Sequence, residues 1–286
     1  MKLRVLTALV LIPPVLYLII GAPLWLFLAA LLLVAERTAY EYFELSRAAG
    51  FESLRGFGYV GCAALCLAQV ADMRSAEASG FASTTLLAVT VLLVLAGLTL
   101  GMILSGDVRQ YLRAGSSSLF GIFYVGLMLS CLLPLRFSPA VAQVLSTAIP
   151  QRYLLLLLFA VIWAGDACAY FVGRSVGRHR LFPHISPKKT LEGSLGGLAG
   201  SMLLAWALGR WWQTSDMRIV MLLAGLAAVA GQAGDLAESA LKRSADLKDS
   251  GALLPGHGGL LDRIDSLIFA APAVWLALVA LHLWHA

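Results

Sequence analysis

Charge is what this chain has least of. Only 13% of its residues are Asp, Glu, Lys or Arg, about half the share of an ordinary soluble domain. Cysteine is also scarce: Cys62, Cys66, Cys131 and Cys168 all sit in apolar stretches. Cys62 and Cys66 lie four apart, without a C-x-x-C spacing. This pattern excludes a disulfide framework, and with only five histidines and no Cys partners for them it excludes a zinc site. No internal repeat and no polar stretch long enough for a soluble domain is present. A soluble enzyme and a disordered chain are therefore excluded too.

Hydrophobic residues make up 60% of the 286 positions. A helix crossing a bilayer core needs about 20 residues, so the expected fold is all-α, a polytopic integral membrane bundle of about nine transmembrane helices. Apolar runs place them near 3–20, 22–39, 57–72, 85–104, 117–136, 153–172, 194–212, 219–238 and 266–284. The basic start and apolar run at the N-terminus read as an uncleaved first span rather than a signal peptide. With the N-terminus cytoplasmic, 16 Lys/Arg fall inside and five, Arg74, Arg136, Arg152, Arg210 and Arg218, fall outside. The positive-inside rule favours that orientation, which leaves the C-terminus outside. The net charge of +5 then reflects cytoplasmic loops and anionic membrane lipids, not nucleic acid. Residues 1–150 read as N-terminal scaffold helices and 151–286 as the region carrying chemistry, the two forming one integral unit.

The few charges are not evenly spread. Ten of the 37 charged side chains fall within positions 235–265, and none follows Asp265. In GQAGDLAESALKR at 231–243, Asp235, Glu238, Ser239 and Lys242 follow an i, i+3, i+4, i+7 spacing and share one helix face. Such a face cannot meet lipid; it needs a polar cavity. In KDSGALLPGHGGLLDRIDS at 248–266, a glycine-rich loop leads into Asp262 and Asp265, which project to one side of the next helix start. Asp166, in WAGDACAYFVGR at 163–174, lies inside an otherwise apolar span. The segment 173–197 reads as a basic loop with Arg174, Arg178, His179 and Arg180, then Lys188, Lys189 and Thr190, the last placed to cap the following helix.

Hard oxygen ligands hold Mg²⁺, which favours a few carboxylates together with substrate phosphates. Asp235, Asp262 and Asp265 are thus candidate metal ligands, with Asp166 as a third wall, and Lys242, Arg243, Lys248 and Arg263 are candidate phosphate contacts. Read from residues alone, the same groups also fit an ion-pair network that holds helix ends at the interface.

The stretch from Ser239 to Asp265 reads S-x-L-K-R-x4-K-D-x-G-x2-L-P-x-H-G-G-L-x-D-R-I-D, and S-P-K-K-T-x-E-G occupies 186–193 with Leu191 where an aromatic is commoner. These segments resemble the phosphatidate cytidylyltransferases (CDP-diacylglycerol synthases), as do those around Asp166 and Gly234-Asp235. In the N-terminal half the likeness rests on hydropathy and on R-T-A-Y-E-Y-F-E-L at 37–45. The resemblance implies transfer of CMP from CTP to phosphatidic acid, giving CDP-diacylglycerol and pyrophosphate. It implies Mg²⁺, a second cation such as K⁺ nearby, a homodimer, and a bacterial inner membrane with the site facing the cytoplasm. On this reading Lys248, Asp249, Asp262 and Asp265 are catalytic. Lys188, Lys189, Ser239, Lys242, Arg243, His257 and Arg263 bind substrate. Asp166, Asp235, Asp262 and Asp265 hold metal. Two alternatives remain open at this point: another lipid-linked phosphotransferase, such as a polyprenol kinase, and an ion-coupled transporter.

Overall fold

The computed structural model describes residues 2–75, 84–104, 107–253 and 258–285. Long helices come first: α1 (Lys2–Ile20), α2 (Leu24–Ala48), α3 (Arg55–Ser75) and α4 (Thr84–Leu104). Next, α5 (Val108–Gly121) runs into a π-helical turn at Ile122–Leu127 and three short pieces, α6 (Met128–Ser130), α7 (Leu132–Phe137) and α8 (Pro139–Val144). The second half holds α9 (Leu154–Val176), a hairpin of β1 (Arg180–Phe182) and β2 (Ser186–Thr190), then α10 (Leu191–Trp211), α11 (Met217–Ser244) and α12 (Leu261–His285).

Helix covers every one of the nine expected segments, and among the described residues seven helical stretches are long and apolar enough to cross a membrane. The chain is an all-α polytopic membrane protein, but the count of nine spans is not established. The first two expected spans, α1 and α2, are not among the seven. In α2 the apolar run gives way to Glu36, Arg37, Glu41 and Glu44 in its second half, and Glu41 turns inward to the protein.

Each helix is built by local rules. Thr190 caps α10 as expected, its Oγ1 accepting from the Gly193 amide at 3.1 Å. The last carbonyls of α1 accept from a guanidinium: Arg136 donates to Ile19 O and Ile20 O, both at 2.7 Å, which satisfies acceptors a helix end leaves open. α11 extends past its expected end because A-E-S-A-L-K-R favours helix and places Lys242 and Arg243 in the last turn, where the macrodipole welcomes cations.

Most of the core is a large apolar cluster drawn mainly from α2, α3, α6, α7, α9, α11 and α12, with a smaller one around Leu65, Leu93 and Ile122. All four cysteines are free thiols; Cys62, Cys66 and Cys131 are buried in apolar packing and Cys168 is half-buried. The segment expected to be a plain basic loop departs from that expectation. It forms the antiparallel β1–β2 hairpin, pairing Arg180 with Thr190 and Phe182 with Ser186. Glu192 clips it shut, accepting from the Arg178 and His179 amides and meeting His179 Nδ1 at 2.6 Å.

Candidate active site

The C-terminal ends of α9 and α11 and the N-terminal ends of α10 and α12 gather at one end of the bundle beside the hairpin. Lys189 on β2 reaches Asp235 on α11 at 2.5 Å. Lys242, also on α11, bridges Glu238 Oε2 and Asp262 Oδ1 on α12, each at 2.6 Å. Glu238 is fully buried, and its Oε1 has no hydrogen-bond partner among the described residues.

Gly234 sets the closeness of α11 and α12. A Cβ at that position would stand 2.5 Å from Asp265 O, so only glycine permits this crossing. The next residue, Asp235, is thereby brought beside Asp265. Asp235, Glu238 and Asp265 each offer a carboxylate oxygen within 4.8 Å of the others. Asp265 is steadied by the Ser266 amide, which donates to its Oδ1 at 2.6 Å.

Three cavities share walls here. An acidic one of about 290 Å³ is lined by Asp166, Asp235, Asp262 and Asp265 together with Arg263. A larger one, about 590 Å³, lies between α9, the hairpin, α10 and α11. Its lining includes Arg174, Lys188, Lys189, Thr190 and Gln232, and it shares Asp166 and Asp235 with the first. The third, about 550 Å³, is almost wholly apolar and lies among α1, α2, α9 and α12. It shares Phe159, Trp163, Arg263 and Leu267 with the acidic cavity. A basic chamber, a carboxylate chamber and a greasy groove thus adjoin in series.

The four carboxylates expected at a metal, Asp166, Asp235, Asp262 and Asp265, all line the acidic cavity, but Asp262 is also committed elsewhere. Its Oδ2 accepts from Ser250 N at 2.9 Å and Gly259 N at 2.8 Å, and lies 2.9 Å from the Ser250 hydroxyl. It therefore shapes the glycine-rich loop as well as the cavity. Lys188 and Lys189 line the basic chamber, and Arg263 stands where the acidic and apolar cavities meet. Arg243 points the other way, donating to Leu247 O at 2.8 Å and Ile185 O at 3.4 Å, so it ties the end of α11 to the hairpin turn. Lys248 and Asp249 are exposed on the loop, Ser239 is half-buried, and none of the three lines these cavities. His257 lies outside the described residues.

Sequence reasoning placed Glu238 on the polar helix face without giving it a role; its burial beside Asp235 and Asp265 is a tertiary fact. Gln232, one turn before Asp235, was not singled out in the sequence. Its Oε1 accepts from the Ser194 hydroxyl and its Nε2 donates to Ser194 O at 3.0 Å, on the wall of the basic chamber. Glu41 was not singled out at all.

Comparison with known proteins agrees with the resemblance. The chain is 42% identical over 185 residues to the phosphatidate cytidylyltransferase of Synechocystis sp., covering 58% of this chain and 62% of that one. It is 50% identical over 119 residues to the phosphatidate cytidylyltransferase of Bacillus subtilis, covering 41% and 44%. It is 41% identical over 126 residues to that of Staphylococcus haemolyticus, covering 44% and 48%. The matched stretches thus span about half the length of these curated relatives. The cytidylyltransferase family as a whole matches residues 2–281, and with that coverage this chain belongs to the cytidylyltransferase family.

Proposed function

We propose that this protein transfers CMP from CTP to phosphatidic acid, releasing pyrophosphate and leaving CDP-diacylglycerol in the membrane. The observation that carries this reading is the series of three cavities. A triphosphate needs cations, a lipid needs an apolar groove, and the reacting phosphates need a polar chamber between them. Those are the chemistries of the chambers lined by Lys188 and Lys189, by Phe159 and Trp163, and by the four aspartates.

In the reaction, a phosphate oxygen of phosphatidate attacks the α-phosphorus of CTP. A new P–O bond forms as the bond to the β-phosphate breaks, and pyrophosphate leaves. The attacking phosphate is already largely ionised at neutral pH, so no strong base is required. Catalysis then rests on holding two polyanions together. Lys188, Lys189 and Arg174 grip the triphosphate. Arg263, at the junction with the apolar groove, holds the lipid phosphate. Lys248 and Asp249, exposed on the loop, orient the nucleotide phosphates, while Arg243 holds the hairpin that carries the two lysines.

The donor set fits Mg²⁺. Among the described residues, five carboxylates, those of Asp166, Asp235, Glu238, Asp262 and Asp265, meet around three cationic side chains, Lys189, Lys242 and Arg263. Among the described residues, a buried carboxylate oxygen of Glu238 is left without a hydrogen-bond partner. Asp235 and Asp265 would hold the ion, with Asp166 and Asp262 on the same wall. When bound, the ion neutralises charge on the phosphates and so lowers the barrier to their approach. The full reading includes a homodimer in a bacterial inner membrane with the N-terminus and the site cytoplasmic.

Purified protein given phosphatidate and CTP tests it. Label from the α-phosphate of CTP is expected in the lipid, in proportion to added Mg²⁺, and a parallel K⁺ titration tests the second cation. Transfer of the γ-phosphate instead would identify a lipid kinase and overturn the proposal, as would the absence of any lipid label.

A further inference from the structure

Glu41 has no part in the reaction outlined above, yet its surroundings are built. It lies on α2, in the half of the chain read as scaffold, and is 1% exposed. A carboxylate buried to that degree is unfavourable unless donors surround it. Here three donors do, and a fourth, the Ser250 hydroxyl, is shared with Asp262. Arg37, one turn earlier, sits 3.1 Å from Oε1. Leu260 N donates to Oε1 at 3.0 Å and Leu261 N to Oε2 at 2.8 Å. Ser250 Oγ lies 3.0 Å from Oε2.

The two amides explain the arrangement. The first N–H groups of any helix have no acceptor inside it, and a side chain just ahead of the helix commonly supplies one. Ahead of α12 stand Gly258, Gly259 and Leu260, which have no side-chain acceptor to offer. Glu41 fills that place from another helix. Gly259 leaves the space: a Cβ there would collide with Ser250 Oγ and Glu41 Oε2. The Ser250 hydroxyl stands between two carboxylates, also 2.9 Å from Asp262 Oδ2. One serine therefore joins the buried glutamate to the wall of the acidic cavity.

The geometry points to Glu41 as a positioning residue, a helix cap supplied in trans that fixes the first turn of α12. Through that turn it fixes where Asp262 and Asp265 face Asp235. The kinetic consequence rests on the cytidylyl-transfer reading above; the structural consequence does not.

The full chain in detergent tests both, as wild type, Glu41→Ala and Glu41→Gln. Hydrogen exchange in peptides covering 258–265 should accelerate about tenfold or more in Glu41→Ala, while peptides from α10 keep their wild-type rate. In the same variant kcat should fall about 100-fold, the scale set by small misplacements of reacting groups. The KM for CTP should stay within about threefold, because no α2 residue lines the basic chamber. Glu41→Gln keeps one acceptor oxygen and should fall between wild type and alanine; if the alanine variant does not fold, the glutamine variant decides by the same readouts. Wild-type exchange across 258–265 in the variants, or equal acceleration in every helix, overturns the proposal. A raised KM for CTP with unchanged kcat does so too. If wild type makes no lipid product from CTP, the reaction reading falls, and the exchange data still decide whether Glu41 caps α12.

Discussion

Lys242 is the cation shared by two buried carboxylates. Its ammonium is 2.6 Å from both Glu238 and Asp262, whose side chains are 0% and 4% exposed. Removing one member of a buried ion pair strands the other charge in a medium that solvates it poorly. Lys242→Met strands Glu238 and takes the cation from Asp262 Oδ1, and the expected loss of stability is about 3–5 kcal/mol. Adding Glu238→Gln to that variant removes the stranded charge and should restore part of the melting temperature in detergent. Equal melting temperatures for Lys242→Met and wild type would show that the network contributes nothing. The residue types were legible from spacing, since Asp235, Glu238 and Lys242 share a helix face at i, i+3 and i+7. Which charge answers which was not, because Asp262 reaches Lys242 from another helix.

At the scale of elements, the crossing of α11 and α12 is the contact on which the acidic cavity depends. Gly234 holds its place there because α12 backbone occupies the space a side chain would fill. Gly234→Ala adds one methyl group against Asp265 O, and overpacking of this kind costs about 1–3 kcal/mol. The helices must separate, so Asp235 and Asp265 move apart. We expect a modest drop in melting temperature with a loss of activity about tenfold or greater, on the same grounds of lost orientation. A variant with wild-type turnover would show that the close crossing is unnecessary. The hairpin teaches a related lesson. Its sequence, G-R-S-V-G-R-H-R-L-F-P-H-I-S-P-K-K-T, carries prolines and charge and reads as loop. The strands form because Glu192 gathers the Arg178 and His179 amides from one end, a contact between segments more than a dozen residues apart.

For the whole molecule, the apolar majority of the chain does two jobs. Most of it faces lipid or packs the core, but part of it lines the groove that meets the acidic cavity at Arg263. If that groove takes the acyl chains of the substrate, narrowing it should tell long lipids from short ones. Ala30→Trp, on α2, fills part of the groove. The KM for dioleoyl phosphatidate is expected to rise about tenfold, as apolar area is lost from the bound lipid, while that for dihexanoyl phosphatidate moves little. An equal rise for both would place the chains elsewhere.

What the sequence determined by itself was the membrane, the helical bundle and the kinds of chemistry. Sixty per cent apolar residues demand burial in lipid, helices are the way such a chain satisfies its backbone there, and scarce charge grouped at 235–265 marks the polar site. Tertiary structure decided the partners. It made a hairpin of a basic loop and brought Asp166, Asp235 and Asp265 to one chamber. It drew Asp262 into the glycine-rich loop, and it seated Glu41 at the head of α12. Periodicity reports which residues share a face of one helix. It says nothing of what faces them from a helix 220 positions away, because that is settled only when the faces pack.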